Sequence, residues 1–227
     1  KRLFNLNDCL ILLPKYIIVM KDKRVHILDA AEQLFAEKGF DGTSVRDIAG
    51  QAGVNLAMIS YYFGSKEKLL VALIAHRSSY THGILEELNK DERLSPWNKI
   101  ERLIDLYVDK IVNNYRFHCI MTTHLPTIQS DDIREMITDI KLKNFEQIKK
   151  IIAEGQKQKL FRKVDMELTV GCVMGTLTQA TLSKSLYCRL MHIDIHDEET
   201  YRKKMIPKLK THLKSLLKAH LDIENQH

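Results

Sequence analysis

The chain has 227 residues, of which 44% are hydrophobic and 28% charged, an ordinary composition for a soluble globular protein with one large or two small domains. The 9 glycines and 4 prolines favour long helices and argue against a turn-rich β architecture. The formal net charge is +6, but residues 20–76 contain seven Lys or Arg and seven Asp or Glu, so net charge gives little support for an acidic partner there.

Residues 1–19 differ in character from the segment that follows them. Their short apolar runs are interrupted by Asp8, Pro14 and Lys15, so the pattern predicts neither a signal peptide nor a membrane span. We expect Met20 to be the natural start and residues 1–19 to be a non-native or poorly ordered extension. The alternative is an extra apolar segment docked on the body of the protein.

Residues 21–76 have the pattern of a compact helical unit. Apolar residues at helical spacing predict a first helix over 21–38 that ends at Gly39. Ser44 followed by Asp47 predicts a capping box at the start of a second helix. A third short helix follows a tight turn, and Ser65 precedes a long helix over about 66–88.

The stretch 44–63 predicts two short helices around that turn. Ala49 is small enough for the second helix to cross the first, Gly53 tolerates positive φ, and Ile59 is an apolar anchor. By residues alone this stretch is either a generic three-helix bundle or a helix-turn-helix. In a helix-turn-helix, the N-terminal end of the second of these two helices is free to enter a DNA groove.

From Trp97 onward every segment has a helical pattern. We expect helices over about 97–116, 117–125, 131–158, 165–186 and 198–222, with a polar break over 89–96 and a loop over 188–197. Pro126 should stop the short second helix of this set. The prediction is an all-α protein of about nine helices, with a three-helix unit at the N-terminus.

Residues 34–70, LFAEKGFDGTSVRDIAGQAGVNLAMISYYFGSKEKLL, resemble the N-terminal domain of the TetR family of bacterial transcriptional regulators. The Gly-Phe turn, the Thr-Ser helix start, the Val-Arg-Asp-Ile-Ala run, the Ala-Gly-Val turn, the Tyr-Phe pair and the Ser-Lys-Glu run match the family pattern in order. The resemblance implies a helix-turn-helix DNA-binding domain over 20–76. It also implies a helical ligand-binding and dimerisation domain over 77–227.

The resemblance also implies roles for individual side chains. Thr43 and Arg46 would contact phosphates, and the start of the later helix would face base edges, with the amide of Asn55 addressing adenine. The family often has Tyr and His where this chain has Ser60 and Tyr61, so which of Ser60, Tyr61 and Tyr62 touches DNA stays open; core packing is the alternative for both tyrosines. The implied DNA-binding residues are Thr43, Arg46, Asn55, Leu56, Ala57, Met58, Tyr61, Tyr62 and Lys66.

The C-terminal half offers candidate ligand residues. The family uses this half to hold a small ligand, and polar side chains among apolar ones can orient such a molecule. Core packing is the alternative for each aromatic residue and methionine. The candidates are Trp97, Tyr107, Phe117, His118, Met121, His124, Phe145 and Met174.

Two glycines four residues apart, Gly171 and Gly175, would allow another helix to approach closely. Internal packing is the alternative, but the resemblance implies that the last two long helices form a four-helix dimer interface. The candidate interface residues are Gly171, Gly175, Thr178, Thr181, Leu182, Leu209, Leu213 and Leu216.

Cysteine and histidine placement predicts no metal site and no disulfide framework. Cys188, His192 and His196 have helical i, i+4, i+8 spacing, but their segment has loop character. The four cysteines, which are Cys9, Cys119, Cys172 and Cys188, form no CxxC pair. They are typical of reduced thiols in a cytoplasmic protein.

The sequence contains no GxSxG, HExxH or glycine-rich phosphate loop, so we expect no enzymatic activity. The prediction is a homodimeric regulator, most simply a repressor that a small apolar or amphipathic effector releases from a pseudo-palindromic operator in double-stranded DNA. No cofactor and no membrane partner are expected. The alternative is a helical small-molecule-binding or dimerisation module without sequence-specific DNA binding.

Overall fold

The computed structural model describes residues 23–223, so the expectation for residues 1–19 lies outside the described part. The chain divides into two compact units, the first ending at His76 and the second beginning at Arg77. Within residues 23–223 the regular elements are helical apart from an isolated bridge between Phe161 and Asp222. The predicted all-α fold is confirmed.

The first unit contains three helices and the start of a fourth. These are α1 over 23–38, α2 over Val45–Ala52, α3 over Leu56–Phe63 and the beginning of α4, which spans Lys66–Lys90. Gly39, with φ of 75°, ends α1 and donates its N–H to the Phe35 carbonyl at 3.1 Å. The core consists of apolar residues from all four helices: Ile27, Leu28, Leu34, Phe35, Ile48, Ile59, Phe63, Leu69, Leu70, Leu73 and Ile74.

The predicted capping box at the start of α2 is confirmed. The Asp47 N–H donates to Ser44 Oγ at 3.1 Å, and the Ser44 N–H donates to Asp47 Oδ2 at 2.9 Å. The Ser44 hydroxyl also donates to Asp47 Oδ2 at 2.7 Å. The pKa of the Asp47 carboxyl is held below its ordinary value by these hydrogen bonds. The bond from the Ser44 side chain has the largest effect, and the bond from the Ser44 backbone has the next largest. They fix the position at which α2 begins.

The second unit contains the rest of α4 and six further α-helices. These are α5 over Pro96–Asn113, α6 over Tyr115–Cys119, α7 over Asp131–Lys157, α8 over Met166–Leu182, α9 over Lys184–Leu190 and α10 over Glu198–Leu221. Side chains of Ser95, Ser130 and Asp165 cap α5, α7 and α8. Pro207 lies inside α10 without ending it.

Two helix predictions in this unit are corrected. Residues 117–125 are not one α-helix: α6 is followed by a π-helical turn over Ile120–His124 and a 3-10 turn over Leu125–Thr127. Proline lacks a backbone N–H and fixes φ, so Pro126 is accommodated in the tighter turn. Residues 165–186 are interrupted at Ser183, which separates α8 from α9 and brings the described range to ten α-helices.

The core of the second unit lies mainly between α5, α7, α8 and α10. Phe161, after α7, packs its ring at 4.7 Å from that of Trp97 and leaves no room for a side chain at Gly155. Lys99 on α5 is 2% exposed, and its ammonium donates to the carboxylate of Glu154 on α7 at 2.7 Å. This ion pair joins the two helices and neutralises the buried charge of Lys99.

Membrane-spanning helices and metal-binding clusters are both absent from residues 23–223. No helix in that range is both long enough and apolar enough to cross a membrane. Within the same range no cluster of three or more His, Cys, Asp or Glu side chains is arranged to hold a metal. Cys188 is buried on α9, whereas His192 and His196 are exposed beyond its end, so the three do not share a helical face.

Candidate functional site

The α2–turn–α3 segment has the geometry of a helix-turn-helix. Gly53 adopts the left-handed conformation, with φ of 63° and ψ of 34°, which a residue with a side chain adopts at a cost. Ala49 is buried and accepts a hydrogen bond from the Val54 N–H at 3.0 Å. Ile59, 1% exposed, anchors α3 to the core. The opposite side of α3 therefore faces away from the core of this unit.

The N-terminal end of α3 presents small and apolar residues. Leu56 and Ala57 are exposed and Met58 is half-buried. Asn55 precedes them as the helix cap, and its Oδ1 accepts from the Met58 N–H at 2.9 Å. A bidentate contact with adenine needs both the oxygen and the nitrogen of the amide. The adenine contact of Asn55 therefore stays a prediction, and while the cap is kept it could use Nδ2 alone.

Tyr61 extends from α3 with 77% of its surface exposed, so the core-packing alternative is wrong for this residue. Ser60 is also exposed, whereas Tyr62 is half-buried with its ring 5.3 Å from that of Tyr61 in an edge-on arrangement. An amphipathic tyrosine beside a polar groove can donate its hydroxyl to phosphate. Of the three open candidates, Tyr61 and Ser60 are the accessible ones.

Two predicted phosphate contacts are contradicted by the structure. Thr43 is 2% exposed, and its hydroxyl donates to the carbonyls of Gly39 at 2.8 Å and Leu34 at 3.2 Å. Lys66 donates to the carbonyls of Phe40 at 2.9 Å and Thr43 at 3.1 Å. Both side chains are directed into the α1–α2 turn, because the carbonyls of that turn need donors.

Arg46 remains a suitable phosphate contact. It is exposed on α2, and within residues 23–223 its guanidinium has neither a hydrogen-bond nor an ion-pair partner. A guanidinium is always charged and binds phosphate with two parallel N–H groups. Arg46 and the exposed residues of α3 therefore form the candidate nucleic-acid interface.

The second unit contains a small, partly open apolar cavity of about 50 Å³ between α5, α7, α8 and α10. Two predicted ligand residues, Tyr107 and Met174, line it. The remaining lining consists of Ile100, Leu103, Ile104, Ile148, Ile152, Thr169, Val170, Val173, Leu217 and Leu221. The wall is almost entirely apolar, as in sites for apolar or amphipathic molecules.

The other predicted ligand residues lie elsewhere. Trp97 lines an open groove of about 730 Å³ with lysines at its rim. Phe117 and His118 are buried on α6, and burial lowers the pKa of the His118 imidazole. The ligand role of the six residues that do not line this cavity stays a prediction: Trp97, Phe117, His118, Met121, His124 and Phe145.

Sequence reasoning missed Lys110 and Thr81. The Lys110 ammonium donates to the Thr81 hydroxyl, and Thr81 is fully buried. A signal for Lys110 was present, because it lies three residues after Tyr107 on a helix. Nothing in the sequence indicated its partner, which lies 29 residues earlier.

The predicted dimer residues separate into two groups. Gly171, Gly175 and Leu182 are exposed on α8, and a Cβ added at either glycine would meet no atom within 4 Å. Leu168 on α8 and Leu186 and Leu190 on α9 are exposed apolar residues as well. The predicted dimer role is contradicted for Thr181, Leu209 and Leu213, which are buried inside the chain's own core, while Thr178 and Leu216 are half-buried.

Comparison with known proteins agrees with this architecture. Residues 27–73 match the family described as "Bacterial regulatory proteins, tetR family". The chain is 30% identical over 185 residues to the probable HTH-type transcriptional regulator YttP of Bacillus subtilis, an alignment that covers 80% of this chain and 86% of YttP. The chain belongs to the TetR family. It is therefore a helix-turn-helix transcriptional regulator.

The chain is also similar to two further proteins over most of their length. The fatty acid metabolism regulator protein of B. subtilis is 27% identical, with 70% of this chain and 84% of that protein aligned. Among solved structures, FadR from B. subtilis in complex with stearoyl-CoA superposes with a TM-score of 0.67 at 21% identity, covering 89% of this chain and 99% of FadR. At that identity the superposition shows the fold alone.

Proposed function

We propose that this TetR-family member is a homodimeric repressor that leaves its operator when a small apolar or amphipathic effector binds its helical half. Residues 20–76 are the DNA-binding domain and residues 77–227 the effector-binding and dimerisation domain, and the protein acts in the cytoplasm. The observation that carries the proposal is the orientation of α3. Ile59 and Phe63 are buried, whereas Leu56, Ala57 and Tyr61 are exposed.

The chemistry of the exposed residues defines how DNA would be bound. Leu56 and Ala57 have no hydrogen-bonding side-chain groups, so they can only make apolar contacts, such as with thymine methyl groups. Arg46 and Tyr61 supply contacts to phosphate, which fix the register without specifying sequence. Sequence preference should therefore depend on methyl contacts and on DNA shape.

The exposed face of α8 and α9 supports the dimer. Two recognition helices must reach successive major grooves about 34–36 Å apart, so a repressor of this class needs two copies of the chain. Leu168, Leu182, Leu186 and Leu190 are exposed on these helices, and contiguous exposed apolar surface is typical of interaction sites. A second copy covering this face would bury the glycines and leucines together.

The cavity lined by Tyr107 and Met174 supports the effector site. It is small as it stands, so a ligand has to widen it, and methionine side chains adapt readily to a changed volume. A ligand shifts the protein between states only if it binds one state better than the other. The continuous helix α4, which begins in the first unit and ends in the second, is the element through which binding would alter DNA affinity.

Selection of genomic DNA fragments by the purified protein tests the proposal. The expected result is a consensus with two-fold symmetry whose half-sites are separated by about one helical turn. An Arg46→Ala variant should recover the same consensus with lower yield. Recovery of fragments without any shared sequence would contradict the proposal and favour a module that lacks sequence-specific binding.

A further inference from the structure

The walls of the cavity in the second unit offer a ligand no hydrogen bond. They consist of aliphatic and methionine side chains together with Tyr107 and Thr169, and among residues 23–223 no polar atom is exposed inside the cavity. The Thr169 hydroxyl is already engaged, because it donates to the Asp165 carbonyl and lies 3.0 Å from His220 Nε2. Burial raises the pKa of Tyr107 to about 12, so its hydroxyl stays uncharged at neutral pH. The cavity therefore presents neither a charge nor a hydrogen-bonding group to its contents.

An apolar molecule gains more from such a space than water does. A buried water typically makes about three hydrogen bonds, which these walls do not supply. An apolar cavity of about 150 Å³ lined by Leu, Ile and Phe side chains stays dry and binds benzene or xenon. The cavity here has about 50 Å³ and is partly open. An apolar molecule that fills it supplies the contacts that its lining lacks and displaces no hydrogen-bonded water.

Charged groups lie beside the cavity, in the open groove of about 730 Å³. Ile100 and Ile104 line both spaces, so the groove and the cavity meet at the same two side chains. Lys159, Lys218 and Glu101 line the groove, and none of these three lines the cavity. A molecule that passes from the groove into the cavity leaves charged surroundings for apolar ones. Because burial of an unpaired charge costs far more than burial of an apolar group, this step selects against charged molecules.

We propose that the cavity lined by Met174 binds an uncharged apolar molecule that has no hydrogen-bonding group, and that it excludes charged and polar ones. The inference rests on the proposed effector site and specifies the chemistry of its ligand. The proposed function allows either an apolar or an amphipathic effector, and the walls of the cavity select the apolar one. The flexible Met174 side chain lets the cavity widen around such a molecule.

A series of molecules of equal size tests this proposal in the full-length protein. Ethylbenzene, benzyl alcohol and benzylammonium have the same ring and the same number of non-hydrogen atoms, and they end in a methyl, a hydroxyl and an ammonium group. Carbon-13 NMR of the methionine methyl groups locates binding, because Met174 lines the cavity whereas Met205 is buried in the same core without lining it. Met174→Leu and Met205→Leu each remove one signal and so assign the two methyl groups.

Ethylbenzene should shift the Met174 signal to saturation and leave the Met205 signal in place. Benzyl alcohol should bind at least about fivefold more weakly, because its hydroxyl loses water and gains no partner. Benzylammonium should cause no shift at concentrations that saturate the protein with ethylbenzene, because its charge would be buried without a partner. The affinities are measured on wild-type protein, so they do not depend on the folding of a variant.

Substitution of Val173 assigns the binding to the cavity. Val173 lines the cavity, so the methylene added by Val173→Leu takes up part of its volume and should weaken ethylbenzene binding at least about fivefold. Val164→Leu is the matched control, because Val164 packs against the same core without lining the cavity. The control variant should keep the wild-type affinity. Unchanged ethylbenzene affinity in Val173→Leu would place the bound molecule elsewhere and contradict the proposal.

Three results with the wild-type protein would also overturn the proposal. These are equal or tighter binding of benzyl alcohol, a saturable Met174 shift with benzylammonium, and no Met174 shift with ethylbenzene. The first two leave the effector site of the proposed function intact and change only the chemistry of its ligand. The third contradicts the cavity as a ligand site, whereas the selection of genomic fragments still reports independently on DNA binding by the regulator.

Discussion

The ammonium of Lys66 lies 2.9 Å from the carbonyl oxygen of Phe40 and 4.2 Å from the centre of the Phe40 ring. The first residue of α4 is thus bound to the turn between α1 and α2, 26 residues earlier in the chain. A second bond to the Thr43 carbonyl, at 3.1 Å, holds the residue that precedes the α2 cap. Lys66 therefore stabilises the turn that precedes α2, and with it the positions of α2 and α3 in this unit.

Lys66→Met should destabilise the protein by about 1–3 kcal/mol, because two carbonyls lose a charged donor in a partly buried turn. The salt dependence of DNA binding should stay unchanged, since the ammonium contacts no phosphate. Denaturant unfolding and binding at several salt concentrations measure the two effects. Lys68→Met is the matched control, because Lys68 is exposed and should affect neither quantity. Unchanged stability with a reduced salt slope would restore the phosphate role of Lys66.

Arg46→Ala should weaken binding to every DNA sequence and reduce the slope of log K against log salt concentration by roughly 1. Arg46 is exposed and without a partner in the described range, so its loss should change the free energy of unfolding by less than about 0.5 kcal/mol. Fluorescence anisotropy with a selected operator and an unrelated duplex measures the slope. An unchanged slope on both duplexes would argue against a phosphate contact.

The two functions assigned to Asn55 can be separated by two substitutions. Asn55→Ala removes both the cap and the amide nitrogen, whereas Asn55→Ser keeps a good cap and removes only the nitrogen. Only the alanine variant should lose stability, by about 1 kcal/mol. Both variants should change sequence preference in a fragment selection if Nδ2 contacts a base. A preference identical to that of wild type in the serine variant would limit Asn55 to capping.

The sequence predicted the features of this fold that depend on neighbouring residues. The Ser44–Asp47 capping box, the left-handed Gly53 and the buried Ile59 follow from short-range spacing, and the structure contains all three. The roles of Thr43 and Lys66 were wrong because their partners are set by tertiary packing. A threonine or lysine that matches the family pattern does not indicate which backbone carbonyl its side chain will bind in the folded protein.

A similar limit applies to the second unit. Helical periodicity identified Leu209 and Leu213 as apolar positions, but periodicity cannot distinguish a face that packs within the chain from one that packs against a second chain. The hydrogen bond between Lys110 and Thr81 was missed because these two residues lie on different helices. Two small irregularities, the π-helical turn after Cys119 and the break at Ser183, have no local signal that we can identify.

Gly155→Ala should destabilise the second unit by about 1–3 kcal/mol, which is typical of overpacking. An added Cβ would clash with the ring of Phe161, and that ring also packs edge-on against Trp97 with 4.7 Å between ring centres. Trp97 is the single tryptophan, so its fluorescence reports unfolding of this unit directly. A variant as stable as wild type would show that the Phe161 ring can move away from α7.

Gly171→Ala and Gly175→Ala distinguish a dimer face from an ordinary solvent face. Within the described chain an added Cβ at either position meets nothing within 4 Å, so each substitution in an isolated subunit should stabilise α8 by about 1 kcal/mol. If the partner's helices approach there, the same methyl groups should instead raise the dimer dissociation constant at least about fivefold, as 1–3 kcal/mol of overpacking implies.

Sedimentation velocity over a range of concentrations measures that constant, and Gly83→Ala is the matched control. Gly83 lies on α4, is exposed, and also has open space around an added Cβ. The control should gain the same helix propensity without weakening the dimer. Dimers of Gly171→Ala and Gly175→Ala as tight as wild type would place the interface elsewhere, because a close helix–helix contact has no room for the added methyl groups.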